Sequence, residues 1–252
     1  MRTPFVVVGV IVGLACGVST AIAQSASTPP LSEGWQLQVT PYLWASSLVG
    51  QLGIGNQTAD VDASFSNILD HLHFAAMGLV DARRNRVVAL TDIFYTDLRG
   101  QQATPGPLFS SVNPQQKLFI LTPEGGYRVF GTANTSVDVV GGIRFWHLSS
   151  ELQFQPGVLP GIDLQASRSW VDGIAGLRAW HALPNNWWVN GYADLGAGGS
   201  TRTYQLAGTV GVDLHRHFAV VGGYRYLSVN YDQDVLLDTT FKGPLVGFTV
   251  KF

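Results

Sequence analysis

The chain ends in Leu245-Val246-Gly247-Phe248-Thr249-Val250-Lys251-Phe252, and the reading of this stretch decides the fold. Val246, Phe248, Val250 and Phe252 share one parity, while Leu245, Gly247, Thr249 and Lys251 share the other. Successive side chains of a strand point to opposite faces, so one face is wholly apolar and the other mostly small or polar. An edge strand of a soluble sandwich would alternate in the same way, yet it would rarely stop on an exposed aromatic residue. The remainder of the chain has to say which kind of sheet this strand closes.

The 252 residues suffice for one or two domains. Charged residues make up 13%, about half the share of an ordinary soluble protein, and glycines number 29. Low charge with abundant glycine and aromatics suits an outer surface that meets lipid. The net charge of -2 gives no reason to expect a nucleic-acid partner. Residues 1–23 read as a secretory signal: Arg2 supplies the positive start, Phe5 to Val18 the apolar core, and Ala21-Ile22-Ala23 the small-residue cleavage site before Gln24. A lipoprotein signal at Cys16 competes weakly, because Gly13 stands where a large aliphatic residue is expected; an uncleaved anchor competes against the good Ala-x-Ala site. Cys16 is the one cysteine, so the processed chain is expected to lack thiols, which excludes disulfides, thiolate metal sites and a cysteine nucleophile. No later segment has the roughly 18 unbroken apolar residues of a spanning helix, so any membrane crossing would be made by strands.

Residues 24–34 form a polar leader, expected on the periplasmic side, and 35–252 the barrel. The first strand spans Trp35 to Ala45. Segment 46–72 reads as an extracellular hairpin extension with a short helix capped by Ser66, its tip a candidate for insertion into the lumen. A meander follows, with strands near 73–83, 86–98, 116–130, 136–150, 163–183, 187–198, 202–214, 218–230 and 243–252. Four turns are tight and polar: Arg84-Asn85, Gly131 to Asn134, Pro184-Asn185-Asn186 and His215-Arg216-His217. The opposite connections, 46–72, 99–115, 151–162 and 231–242, are longer, with only 199–201 brief. Short turns at one end and longer loops at the other predict an all-β, antiparallel up-and-down transmembrane β-barrel. The count is about ten strands, with eight or twelve as the neighbouring even numbers.

Charge placement tests this internally. Glu124 and Arg128 oppose Phe119, Leu121, Tyr127 and Val129; Asp138 and Arg144 oppose Val137, Val139, Ile143 and Phe145. Arg168, Asp172 and Arg178 oppose Val171, Ala175 and Leu177, and Thr203, Gln205, Thr209 and Asp213 oppose Tyr204, Leu206, Val210 and Val212. A basic side chain facing lipid near the bilayer centre costs roughly 2–4 kcal/mol. The charged parity is therefore expected to line the lumen: Asp81, Arg83, Asp92, Glu124, Arg128, Asp138, Arg144, Arg168, Asp172, Arg178, Asp194, Asp213, Arg225 and Lys251. Alternation alone is symmetric to inversion; the signal sequence, the loop asymmetry and the terminal Phe252 decide for the membrane.

Five pieces, PYLWASSLVGQLGIG at 41–55, ADVDASFSNILDHL at 59–72, GGIRFWHL at 141–148, GYRYLSVNYD at 223–232 and GPLVGFTVKF at 243–252, together resemble a family of proteobacterial outer-membrane β-barrels in the OmpA- and OmpW-like small-barrel group. The resemblance implies the cell outer membrane as the location. It implies a closing strand read by the barrel-assembly machinery through Phe248, Val250 and Phe252, and it carries no established activity. The expected surroundings are outer-membrane lipid and lipopolysaccharide, with periplasmic chaperones on the way; the oligomeric state stays open.

The near-balanced lumen charges fit either a plug of ion pairs or a lined, weakly selective narrow pore. His147-x-Ser149-x-Glu151 on one parity resembles the His-x-Ser pair of outer-membrane lipid A deacylases, although three positions on one strand align poorly for a relay. Trp35, Tyr42, Trp44, Trp146, Trp170, Trp180, Trp187, Trp188, Tyr224 and Tyr226 read as interfacial girdles. Asn230, Asp232 and Asp234 are too few for a calcium loop, and His71 and His73 lack partners at metal-ligand spacing. The expectation is a non-enzymatic barrel with an envelope-structural or narrow small-solute channel (porin-like) role, with no catalytic residue, metal or cofactor. A lipid hydrolase using His147 and Ser149, and a loop-mediated adhesin or receptor, stand as alternatives.

Overall fold

Alternating runs without an interior proline-rich break pair readily with their neighbours in a meander, and the structure is built almost entirely of such strands. The computed structural model describes residues 34–54, 57–104, 106–232 and 235–252; the expected signal sequence and the leader up to residue 33 lie outside the described residues. The elements are β1 (Gln36–Trp44), β2 (Ser47–Ile54), β3 (Gln57–Ala63), α1 (Phe65–Asp70), β4 (Leu72–Arg84), β5 (Val87–Arg99), β6 (Gln102–Ala103), β7 (Phe109–Gly131), β8 (Thr135–Pro156), β9 (Ile162–Ala182), β10 (Trp187–Gly198), β11 (Arg202–His215), β12 (Phe218–Asp232) and β13 (Val235–Lys251). Ten of them form the wall in the order β1-β4-β5-β7-β8-β9-β10-β11-β12-β13, every neighbour antiparallel, and β1 pairs with β13 to close it. Closure leaves no open edge in the ring, the condition a spanning sheet must meet.

Both ends of the ring lie beside the short turns. The register Gln38↔Lys251 through Trp44↔Leu245 joins first strand to last, and the Phe252 amide donates to Leu37 O at 2.8 Å. Asn85, Asn185 and Asn186 have φ of 52°, 59° and 64°, the left-handed conformation that tight hairpins require and asparagine tolerates. We call this the turn end and the opposite rim the loop end.

At the loop end the structure differs from the sequence reading. β7, β8 and β9 are 23, 22 and 21 residues long, so most of 109–115 and 151–162 is strand rather than loop. Likewise β12 reaches Asp232 and β13 starts at Val235, which removes most of the expected 231–242 loop. About ten tilted residues span a bilayer, so these hairpins continue well past it. Beyond the bilayer both faces are wet, the alternation fades, and only the backbone ladder marks the strand.

Segment 46–72 joins the wall. β2 continues the line of β1 along the upper half of β13, with Ser47↔Lys242 through Ile54↔Val235, and β3 returns beside it. The short helix is capped by Ser64 rather than Ser66: Ser64 Oγ accepts from the Asn67 amide at 3.3 Å. No residue of α1 is buried, and Phe65 and Leu69 are exposed, so the helix stands outside the lumen.

The two faces of the wall are inverted relative to a soluble barrel. Val139, Ile143, Val171, Leu177, Leu195, Leu206, Val246 and Phe248 are exposed on the outside, while Asp81, Asp138, Arg144, Asp172 and Arg225 are buried inside. So much contiguous apolar surface is stable only against lipid. Neighbouring positions on β9 give a direct test. Leu177 is 54% exposed to the outside, and Arg178 reaches Asp81 across the lumen. Leu177→Arg is expected to cost about 2–4 kcal/mol of stability in lipid, a figure that holds for a basic side chain near the bilayer midplane. The check is the urea midpoint of the heat-modifiable gel band in vesicles; an unchanged midpoint would mean that this face does not meet lipid.

Candidate functional site

Among the described residues, chemistry-bearing side chains converge in the interior, at three levels. At the turn end, Asp81 holds Arg83 through two bonds of 3.0 and 3.1 Å and also accepts from Arg178 Nη1. Asp138 accepts from Arg83 Nη1 at 3.0 Å and Arg128 Nε at 3.2 Å. The cause is register: Asp138 lies directly opposite Arg128 on β7 and Arg178 on β9, the cross-strand positions where opposite charges meet. Lys251 pairs with Asp213 at 2.7 Å, and Trp188 Nε1 donates to the same carboxylate at 3.1 Å. Trp188 lies against Gly211, where a Cβ would come within 2.2 Å of the indole.

The middle level is a hydrogen-bonded network. Asp92 takes the Tyr42 hydroxyl at 2.6 Å and Arg225 Nη2 at 2.6 Å, while Arg225 also donates to Tyr42 and to Gln205 Oε1. Arg144 grips Asp194 with both terminal nitrogens, at 3.2 and 2.6 Å, and reaches Thr203 Oγ1 at 3.0 Å. Asp172 accepts from Trp146 Nε1 at 3.1 Å and the Ser200 amide at 2.7 Å. Glu124 Oε1 accepts from the Tyr192 hydroxyl at 2.7 Å.

Above these polar levels the lumen is closed by apolar side chains. Trp146 and Trp170 stack at 5.5 Å with an interplanar angle of 10°, and Trp170 meets Tyr231 at 4.4 Å. Trp44 packs edge-on against Phe94 at 5.6 Å, and the Arg225 guanidinium sits 4.7 Å over its ring. Leu118, Ile120, Leu227, Val229, Leu237 and Phe241 complete the cluster. The girdle reading of Tyr42, Trp44, Trp146, Trp170 and Trp188 is therefore corrected: Trp146, Trp170 and Trp188 share the parity of Arg144, Asp172 and Asp194 on their own strands, Tyr42 reaches Asp92, Trp44 lies under Arg225, and all five point inward. Trp35, Trp187 and Tyr224 are exposed on the outside.

Between the closure and the turn end remains about 150 Å³ of free space, bordered by Tyr42, Thr122, Glu124, Trp188, Asn190 and Tyr192. Of the fourteen charged positions singled out above, Arg168 stands exposed toward the loop end and bonds Ser167 O at 3.0 Å. The other thirteen lie on the inner face, partnered by the contacts above. Sequence reading missed Tyr42, Tyr192, Thr203 and Gln205 as partners of those charges, although parity with Asp194 on β10 and Asp213 on β11 marks the last three.

On the outer face, His147 Nδ1 contacts Ser169 Oγ at 2.7 Å, and Glu151 accepts from Gln153 Nε2 at 2.6 Å. His147 and Glu151 thus have other partners, and no hydrogen bond among the described residues joins either of them to Ser149. His71 Nδ1 contacts Asn67 O at 2.8 Å, His73 lies 3.4 Å from Asp97, and Asn230 donates to Asp238 at 2.8 Å; Asp234 lies outside the described residues.

Comparison with known folds agrees with this architecture. The outer-membrane protease OmpT from Escherichia coli superposes with a TM-score of 0.54 at 8% identity, over 90% of this chain and 100% of that one. The translocator domain of the autotransporter NalP from Neisseria meningitidis gives 0.49 at 13% identity, over 89% and 90%. The attachment invasion locus protein Ail of Yersinia pestis gives 0.40 at 12% identity, over 87% and 99%. No protein-family model matches the sequence, and no curated protein does. The fold is an outer-membrane-type β-barrel. At such identities the likeness shows the fold and nothing further; the protease activity in the first of these names is that protein's own.

Proposed function

We propose that this chain is a non-enzymatic outer-membrane barrel, of the OmpA- and OmpW-like small-barrel kind, that serves in envelope structure with its lumen held shut. The turn end faces the periplasm and the loop end the exterior, with lipopolysaccharide around the outer rim. The barrel-assembly machinery reads the closing strand at Phe248, Val250 and Phe252. The observation that carries the reading is the closure: Trp146 is 0% and Trp170 6% exposed, stacked on each other inside the ring. Ten strands enclose little more room than the eight that side chains fill completely, so ion pairs and indoles suffice to block it.

A narrow small-solute passage is the second reading, favoured by the polar space of about 150 Å³ beneath the closure. Planar-bilayer recording of the purified barrel separates the two. The closed reading expects no conductance steps at moderate voltage; regular steps from the wild-type protein would overturn it in favour of passage. The hydrolase alternative lacks support, since His147 engages Ser169 and, among the described residues, no carboxylate orients its ring.

A further inference from the structure

The free space in the lumen is bordered by one buried carboxyl group that no ion pair satisfies. The cations in its wall are already paired, Arg178 with Asp81 and Arg225 with Asp92. Glu124 is different. Among the described residues no arginine or lysine pairs with it, its hydrogen-bond donor is the Tyr192 hydroxyl, and the residue is only 9% exposed. A carboxylate withdrawn from water without a counter-charge is strongly disfavoured. An independent observation points to the same space. Thr122, two residues earlier on the same face of β7 and 3% exposed, has a hydroxyl oxygen with no hydrogen-bond partner. A hydroxyl can give one hydrogen bond and accept two, so its isolation beside an open space marks a place for a polar guest.

We propose that this space is a binding site for a small organic ammonium cation, seated against the Glu124 carboxylate and the Thr122 hydroxyl and surrounded by the rings of Tyr42, Trp188 and Tyr192. The aromatic lining selects this chemistry. Ring faces attract a weakly hydrated monovalent cation, as in the aromatic cages that hold quaternary ammonium groups. A divalent metal needs several convergent oxygen or nitrogen ligands, and no group of three His, Cys, Asp or Glu side chains converges among the described residues. Access is from the turn end, where Gln38, Trp188, Asn190 and Thr209 are half-buried, whereas Trp146 seals the other side. The inference rests on the reading of a lumen shut at the loop end, and it adds a guest that arrives from the periplasmic side.

The test is isothermal titration of the full-length barrel, folded in detergent, with choline chloride. Two controls accompany it: potassium chloride, and 3,3-dimethyl-1-butanol, in which carbon replaces the quaternary nitrogen. Choline is expected to bind saturably at one site, and the neutral alcohol and potassium are not. Glu124→Gln is expected to weaken choline on the order of tenfold or more, a loss of about 1.4 kcal/mol or more. Thr122→Val, nearly isosteric and inside the same wall, weakens it by a smaller factor and keeps the test alive should Glu124→Gln fail to show the folded gel mobility. Absence of saturable choline binding, equal binding of the alcohol, binding of potassium instead, or unchanged affinity in a folded Glu124→Gln barrel would each overturn the site. Conductance steps from the wild-type barrel would sink the closed-lumen reading while leaving a choline isotherm intact, so the two failures can be told apart.

Discussion

Replacing Trp146 and Trp170 together by alanine is expected to turn a silent barrel into one that conducts. The stacked indoles, with Tyr231 against the second of them, fill the cross-section above the Arg144 and Asp172 level. Removing both takes away the two stacked rings of the cluster, while Trp44, Phe94 and Phe241 stay packed against one another beside the gap. Large-to-small substitution of a buried tryptophan costs about 3–5 kcal/mol, so the variant should unfold at lower urea concentration. The loss is partly offset, since the new space opens to water on the polar side and need not stay an empty apolar cavity. Trp146→Ala also releases the Asp172 carboxylate oxygen now held at 3.1 Å, which adds a negative charge to the path and should favour cations. Bilayer recording gives the answer directly: stepwise currents from the double variant and none from the wild type. A folded double variant that stays silent would show that the two indoles do not hold the lumen shut, and that the turn-end ion pairs or the remaining rings of the cluster do.

How far such a closure could be read in advance depends on which signal is used. Val137, Val139, Ile143 and Phe145 face one way and Asp138 and Arg144 the other, so both strand and facing are legible there without any structure. Trp146 has the parity of Arg144, so its inward direction is equally legible from position, whereas residue type alone points to a girdle. Past residue 148 the sequence is silent for a physical reason. Ser149, Ser150, Glu151 and Gln153 are polar on both faces, yet β8 continues with Glu151↔Gln165 and Gln153↔Asp163 in register. The backbone ladder that holds this part makes no demand on side-chain type. The β1–β2 break is opaque for a related cause, because Ala45 N finds Pro244 O at 2.9 Å only once the ring has closed. Distant pairings are set by closure as well. Asp81 and Arg178 are 97 residues apart, and nothing in either segment names the other. Parity assigns a side chain to the lumen, and the ring's geometry alone assigns its partner.

Breaking the Arg144–Asp194 pair should carry a single-residue penalty as large as truncating a buried tryptophan. Both side chains are 0% exposed, and Arg144 reaches over β9 because Gly176, opposite Asp194, has no side chain in the way; a Cβ there would stand 2.9 Å from that of Asp194. Arg144→Met leaves Asp194 buried and uncompensated, which costs about 3–5 kcal/mol. Thr203 is less affected, since its hydroxyl still donates to Ser228 O at 3.1 Å. Adding Asp194→Leu, close to the carboxylate in shape, removes the stranded charge along with its partner. A buried ion pair replaced by apolar groups of similar volume is often neutral or stabilising, so the double variant should recover most of the loss. Urea unfolding of the three variants in detergent, followed by tryptophan fluorescence, reads the coupling as the shortfall of the double variant from the sum of the singles. Additive losses would mean that water reaches this level of the lumen and already screens both charges, and the middle network would then belong to an open path.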